Sequence, residues 1–118
     1  MKKSVLTSEQ LLEHATEFAF LPTGAERGQP DVDLFTVTVS SRSPGRYAVL
    51  YKGSCWDGEG WVYESMPSSR TGEFKARTRF PLAEAVGLGR AFADTVTING
   101  HTWAQWQERL AANREGAN

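Results

Sequence analysis

Leu34-Phe35-Thr36-Val37-Thr38-Val39-Ser40 sets Phe35, Val37 and Val39 against Thr36, Thr38 and Ser40 with a period of two. Successive side chains of a strand point to opposite faces, so this alternation predicts a half-buried β-strand of residues that favour a pleated surface. The same period recurs downstream. Arg46 to Lys52 alternates Tyr47, Val49 and Tyr51 with Arg46, Ala48, Leu50 and Lys52, and Trp61 to Met66 sets Trp61 and Tyr63 on one side. Glu73 to Phe80 alternates Phe74, Ala76 and Phe80 with Lys75, Arg77 and Arg79. Ser43-Pro44-Gly45, the connection Gly53 to Gly60, and Pro67 to Gly72 carry the turn residues between these segments. The pattern predicts a four-stranded antiparallel meander with one aromatic and one polar face, as in a sheet covered by helices on one side.

On either side the period becomes helical. Ser8 to Phe20 reads as a helix with Thr7 as N-cap, Gln10 completing a capping box, and Leu6 stapled onto Leu11. Leu11, Ala15, Phe18 and Ala19 make its apolar stripe, and Glu9, Glu13 and Glu17 line another side. Leu21 to Asp31, broken by Pro22, Gly24, Gly28 and Pro30, is a loop. Pro81 opens a second helix, Leu82 to Asp94, with Leu82, Val86, Gly89 and Phe92 or Ala93 facing inward. Gly87 and Gly89 each cost about 1 kcal/mol relative to Ala, which close packing on the sheet explains. Val96 to Ile98 reads as a short strand ended by Asn99-Gly100. Thr102 and Gln105 then cap a last helix with Trp103, Trp106 and Leu110 on its apolar side and Gly116 as its stop. The predicted class is α+β, with an N-terminal helix, the meander, and two C-terminal helices on one sheet face, in a single domain over residues 1–118.

Composition bounds the function classes. Thirteen basic against 14 acidic residues give a net charge of −1, so no global field attracts a polyphosphate and any nucleic-acid site must be a local patch. One cysteine, Cys55, excludes an internal disulfide and any multi-thiolate zinc site, and points to a reducing, cytoplasmic setting. Met1-Lys2-Lys3-Ser4-Val5-Leu6 runs into Thr7-Ser8-Glu9-Gln10 without an apolar signal core, and no apolar run approaches the roughly 20 residues that cross a bilayer.

Catalytic and metal patterns are weak. Cys55 would need His14 or His101 as an activating base, and neither stands in a recognisable motif, so the plainer account is an inert hairpin-loop thiol. Asp57 and Glu59 beside it lack the run of oxygen ligands of a cation loop. His14, His101 and Cys55 show no zinc-ligand spacing, and Gly87-Leu88-Gly89 lies within a predicted helix and lacks the third glycine of a dinucleotide loop. The expectation is a non-catalytic protein without metal or cofactor.

The most informative cluster is basic. Arg70, Lys75, Arg77 and Arg79 stand against one acidic residue, Glu73, and the last three, spaced two apart on the predicted strand, would share a face. Arginine forks engage carboxylate and phosphate bidentately, so the cluster suits a partner protein with an acidic surface or, alternatively, a nucleic-acid backbone. An outer strand charged to discourage edge pairing is the bland account. Phe35, Tyr47, Tyr51, Trp61, Tyr63 and Phe74 fall opposite the cations, where core is favoured over a base-stacking platform. Trp103 and Trp106 are either core or an alternative interface.

The run Trp61-Val62-Tyr63-Glu64, Pro67-Ser68-Ser69-Arg70 and Phe74-Lys75-Ala76-Arg77-Thr78-Arg79-Phe80, followed by Leu82-Ala83-Glu84-Ala85, resembles a pattern of small uncharacterised proteins of bacteria and their phages. The resemblance implies an accessory or inhibitor protein of a phage or mobile element, a kind that often acts by binding another protein, and it carries no activity, cofactor or site residue.

Overall fold

In the computed structural model the described residues are 5, 7–64 and 66–116. Thr7 caps α1 (Ser8–His14): its hydroxyl accepts the Gln10 N–H at 3.1 Å, and the Gln10 side chain accepts the Thr7 N–H at 2.8 Å. The expected Leu6 staple lies outside the described residues. The helix is shorter than expected, because Glu17–Phe20 leaves it to form strand β1. Phe18 fits either period, whereas Phe20 falls off the helical stripe and fits only the strand: against β2 (Val37–Ser43) the two stand opposite Val39 and Val37 and extend the apolar face.

Val32–Phe35 makes a 3₁₀ turn, so β2 begins at Val37 instead of Leu34, with Val32 and Phe35 buried at its entry. β3 (Arg46–Tyr51) follows, then β4 (Ser54–Trp56) and β5 (Trp61–Tyr63), giving a five-stranded antiparallel sheet in sequential order. β4 falls within the expected connection Gly53 to Gly60. Lys52 and Gly53, both at positive φ (49° and 78°), make a two-residue hairpin turn that pairs Ser54 with Tyr51. Asp57 then returns the chain, its Oδ1 accepting the Glu59 and Gly60 N–H groups at 2.8 Å each.

Glu73 to Phe80 is not a strand. Thr71 caps α2 (Gly72–Thr78) by accepting the Phe74 N–H at 3.0 Å, and Glu, Lys, Ala and Arg are good helix formers in the turns that follow. Only Phe80 reaches the sheet, where it and Tyr47 exchange backbone hydrogen bonds of 2.8 Å on the edge of β3. Lys75, Arg77 and Arg79 therefore do not form a strand face.

The register places Phe18, Phe20, Val37, Val39, Tyr47, Val49, Tyr51, Trp56 and Trp61 on one face. α3 (Leu82–Thr95) crosses it with Ala85, Gly89 and Ala93 buried, four residues apart. Leu82 and Val86 are only half-buried, so the inward stripe is rotated from the expected one toward small residues. Phe92 packs on Trp56 and Trp61 at centroid distances of 4.6 and 5.0 Å. In place of a last strand, Ile98 and His101 exchange backbone hydrogen bonds across Asn99-Gly100. α4 (Trp103–Gly116) joins the core through Trp103, edge-on to Phe35 at 5.8 Å, and Trp106, whose Nε1–H donates to the Ile98 carbonyl at 2.9 Å. The second face is also partly closed: Ala48 and Cys55 on it are fully buried.

Candidate anion-binding site

Alternation along β5 carries Glu64, the next residue, to the side of the sheet that holds Cys55 and Val62. Three arginines converge on its carboxylate. Arg79 Nη2 donates to Oε1 at 2.9 Å, Arg70 Nε lies 3.6 Å from the same oxygen, and Arg42 Nη2 donates to Oε2 at 3.2 Å. Each arginine is delivered by a different piece of backbone. Arg42 sits where the β2–β3 register shifts between Ser41 and Ser43, a bulge that re-aims its side chain so that Nη1 donates to Ser40 Oγ at 2.9 Å. Arg70 ends the 3₁₀ turn Pro67–Ser69. Arg79 follows α2, its Nη1 donating to Thr78 Oγ1 at 3.1 Å and its guanidinium lying 5.4 Å from the Phe74 ring centroid. Thr78, itself buried, is fixed by donating its hydroxyl to the Phe74 carbonyl at 2.8 Å.

The Arg79 side chain is 5% exposed and that of Glu64 12%. Desolvating charge is costly unless it is paired and hydrogen-bonded, and here three guanidiniums share the Glu64 carboxylate. The same three arginines also line a cavity of about 340 Å³, with Arg46 and Lys75 and, among the described residues, no acidic side chain. Arg42 Nε is buried and has no hydrogen-bond partner among the described residues.

Of the cations singled out in the sequence, Arg70, Lys75 and Arg79 line this cavity. Arg77 is turned elsewhere, beside Asp57. The Glu59 and Gly60 N–H groups, and less strongly Arg77, hold the Asp57 carboxyl below the usual carboxylate range. Sequence reasoning missed Arg42, Arg46 and Glu64. The available signal was a pair of arginines bracketing the Ser43-Pro44-Gly45 turn, which a hairpin brings to one end of the sheet.

Cys55 is not a loop thiol. It is fully buried in β4, and burial, reinforced by Glu64 and opposed by Arg79, pushes its pKa up, away from the thiolate a nucleophile requires. His101 stacks edge-on against Trp106 at 4.9 Å, and no three His, Cys, Asp or Glu side chains group around a metal position among the described residues. Trp103 is buried in the core, whereas Trp106 is half-buried and borders an apolar groove of about 380 Å³ with Leu34 and Leu110. Among the described residues no helix is long and apolar enough to cross a membrane. Comparison with protein-family models, curated proteins and solved structures found no match.

Proposed function

We propose that this chain is a non-catalytic binding module of phage or mobile-element type, working in the cytoplasm as an accessory or inhibitor protein, whose cationic cavity docks an acidic protein surface. The observation that carries the reading is the gathering of Arg42, Arg46, Arg70, Lys75 and Arg79 around one concavity in a chain whose net charge is −1. Concentrating positive charge in so small a volume favours discrete carboxylate or phosphate groups, with arginine forks supplying geometry as well as charge. A nucleic-acid backbone, the second reading, would instead use a track of cations along successive phosphates, and it is favoured only by the shared preference of Arg for phosphate.

Arg46 and Lys75 are exposed and make no contact with Glu64 among the ion pairs of the cluster, so both can be reversed without dismantling it. The test compares wild type with the double variant Arg46→Glu, Lys75→Glu for binding to a Glu/Asp-rich peptide and to a duplex DNA oligomer at two salt concentrations. The acidic peptide should bind wild type and be lost from the variant, with thermal midpoints alike. Sequence-independent DNA binding that falls steeply with salt, without peptide binding, would transfer the site to nucleic acid.

A further inference from the structure

Exposed charges of opposite sign stand at one end of the sheet. Arg46 at the start of β3 and Lys75 on α2 line the cationic cavity, and neither forms an ion pair among the described residues. α1 supplies the other sign. Glu9 is exposed and forms no ion pair among the described residues, Glu13 follows one turn later in the same row of the helix, and Glu17, exposed and equally without an ion pair, begins β1. Strand pairing brings the two sets side by side. The Thr16 carbonyl, just past α1, accepts the Ser41 N–H at 2.7 Å and Glu17 pairs with Ser40, so α1 leaves the sheet next to Arg42 and Ser43 of the cavity lining. Yet α1 does not close over the cavity of its own chain: Leu11 is 54% exposed, Ser8, Gln10 and His14 are exposed as well, and neither Arg46 nor Lys75 meets a carboxylate. A helix of seven residues is too short to sustain itself in water, so α1, capped but uncovered, calls for a tertiary partner.

We propose that this end of the sheet is an interface between two copies of the chain, with α1 of each laid across the cationic cavity of the other. The inference rests on the acidic-partner reading and identifies an acidic partner as a second copy. A two-fold interface sets the same patch of both protomers face to face, so the patch must carry its own complement. An acidic helix beside a basic cavity meets that requirement, because half a turn of rotation places each helix over the opposite cavity and forms the contact twice. The acidic row of α1 takes Arg46 and Lys75 at the mouth, while Arg42, Arg70 and Arg79 stay with Glu64. A cavity of about 340 Å³ admits side chains and not a helix, so α1 lies across it. Contacts between exposed charges give selectivity more than affinity, and the dimer is weak and sensitive to salt.

The test is sedimentation velocity of the full chain over a range of concentrations, at low and at high salt, with two charge-reversed variants. Glu9→Lys with Glu13→Lys reverses the helix, and Arg46→Glu with Lys75→Glu reverses the cavity. Wild type should dimerise as concentration rises, with a dissociation constant at least about tenfold larger at high salt. Each variant alone should keep its circular dichroism spectrum and self-associate at least about tenfold more weakly, because like charges then face each other. Mixed in equal amounts, the two variants should dimerise again, since each reversed set meets its opposite in both contacts. That rescue separates a charge-directed interface from a loss of structure in either variant. A chain that stays monomeric, while a Glu/Asp-rich peptide binds wild type and not the cavity variant, would overturn the second copy as partner and leave the acidic-partner reading standing. A dimer that neither reversal weakens would place the interface elsewhere and overturn the proposal, as would a mixture that fails to associate. A chain that neither dimerises nor binds the peptide would overturn both.

Discussion

Two glycines in one helix should respond differently to the same substitution. Gly87 is exposed on α3, and a Cβ built there meets nothing within 4 Å. Gly89, two residues on, is buried, and a Cβ there would lie 2.8 Å from Val39 Cγ2 and 3.0 Å from Phe20 Cδ2. Gly→Ala in a helix interior gains about 1 kcal/mol from propensity at both positions. At Gly89 the gain is opposed by overpacking, about 1–3 kcal/mol, because Val39 is fully buried on β2 and its β-branched side chain has little rotamer freedom to yield. The propensity contribution cancels between the two variants, so their difference isolates the close approach of α3 to β1 and β2. Gly87→Ala should raise the thermal midpoint by about 4 °C and Gly89→Ala should fall about 4–12 °C below it. Thermal unfolding by circular dichroism, with urea titration to show that the slope is unchanged, measures both. If Gly89→Ala is as stabilising as Gly87→Ala, α3 does not lie on Val39 and Phe20 as described.

Glu64→Gln should destabilise by about 3 kcal/mol in denaturant titration, because it leaves three partly or fully buried guanidiniums without their carboxylate; a neutral effect would mean that the cluster is solvated. Phe92→Ala should cost about 3 kcal/mol and alter tryptophan fluorescence, since the ring packs on both Trp56 and Trp61; unchanged emission would place it elsewhere. Cys55 should resist a thiol-directed disulfide reagent in the folded state and react fully in denaturant, with fast native labelling showing that β4 does not bury it. Asp94 is held below the ordinary carboxylate value first by the Thr23 N–H at 2.7 Å and also by the Thr23 hydroxyl at 2.8 Å. Its folded value being the lower one, its contribution is complete above the unfolded value and is lost as pH falls through the folded value. Asp94→Asn should therefore be less stable than wild type at neutral pH and converge with it in acid; a gap that persists in acid would assign the loss to packing.

Local patterns were legible wherever short-range chemistry decides. Both capping boxes, the β2 and β3 alternation and the α+β class follow from neighbours in sequence, whereas the packing role read for both α3 glycines holds for Gly89 and not for the exposed Gly87. Three of the departures share a cause: Glu17–Phe20, Ser54–Trp56 and Glu73–Phe80 are each compatible with more than one conformation over so few residues. Phe18 and Phe20 became strand because β2 offered an edge, Ser54–Trp56 because two positive-φ residues turn the chain tightly, and Phe74 to Thr78 became helix because Thr71 caps it. The basic character of residues 70–79 was readable from composition, but its geometry was not. A strand reading put Lys75, Arg77 and Arg79 together; the helix separates Arg77 from them. The cavity is assembled from Arg42 on β2, Arg46 on β3, Arg70 in a turn, and Lys75 and Arg79 around α2, three of these arginines being paired with Glu64. Residue type set which charges the chain carries, whereas only the pairing of β2 with β3 and the return of Phe80 to Tyr47 decided which share a site. The physical reason is that a desolvated charge is tolerated through partners distant in sequence, and no local periodicity encodes them.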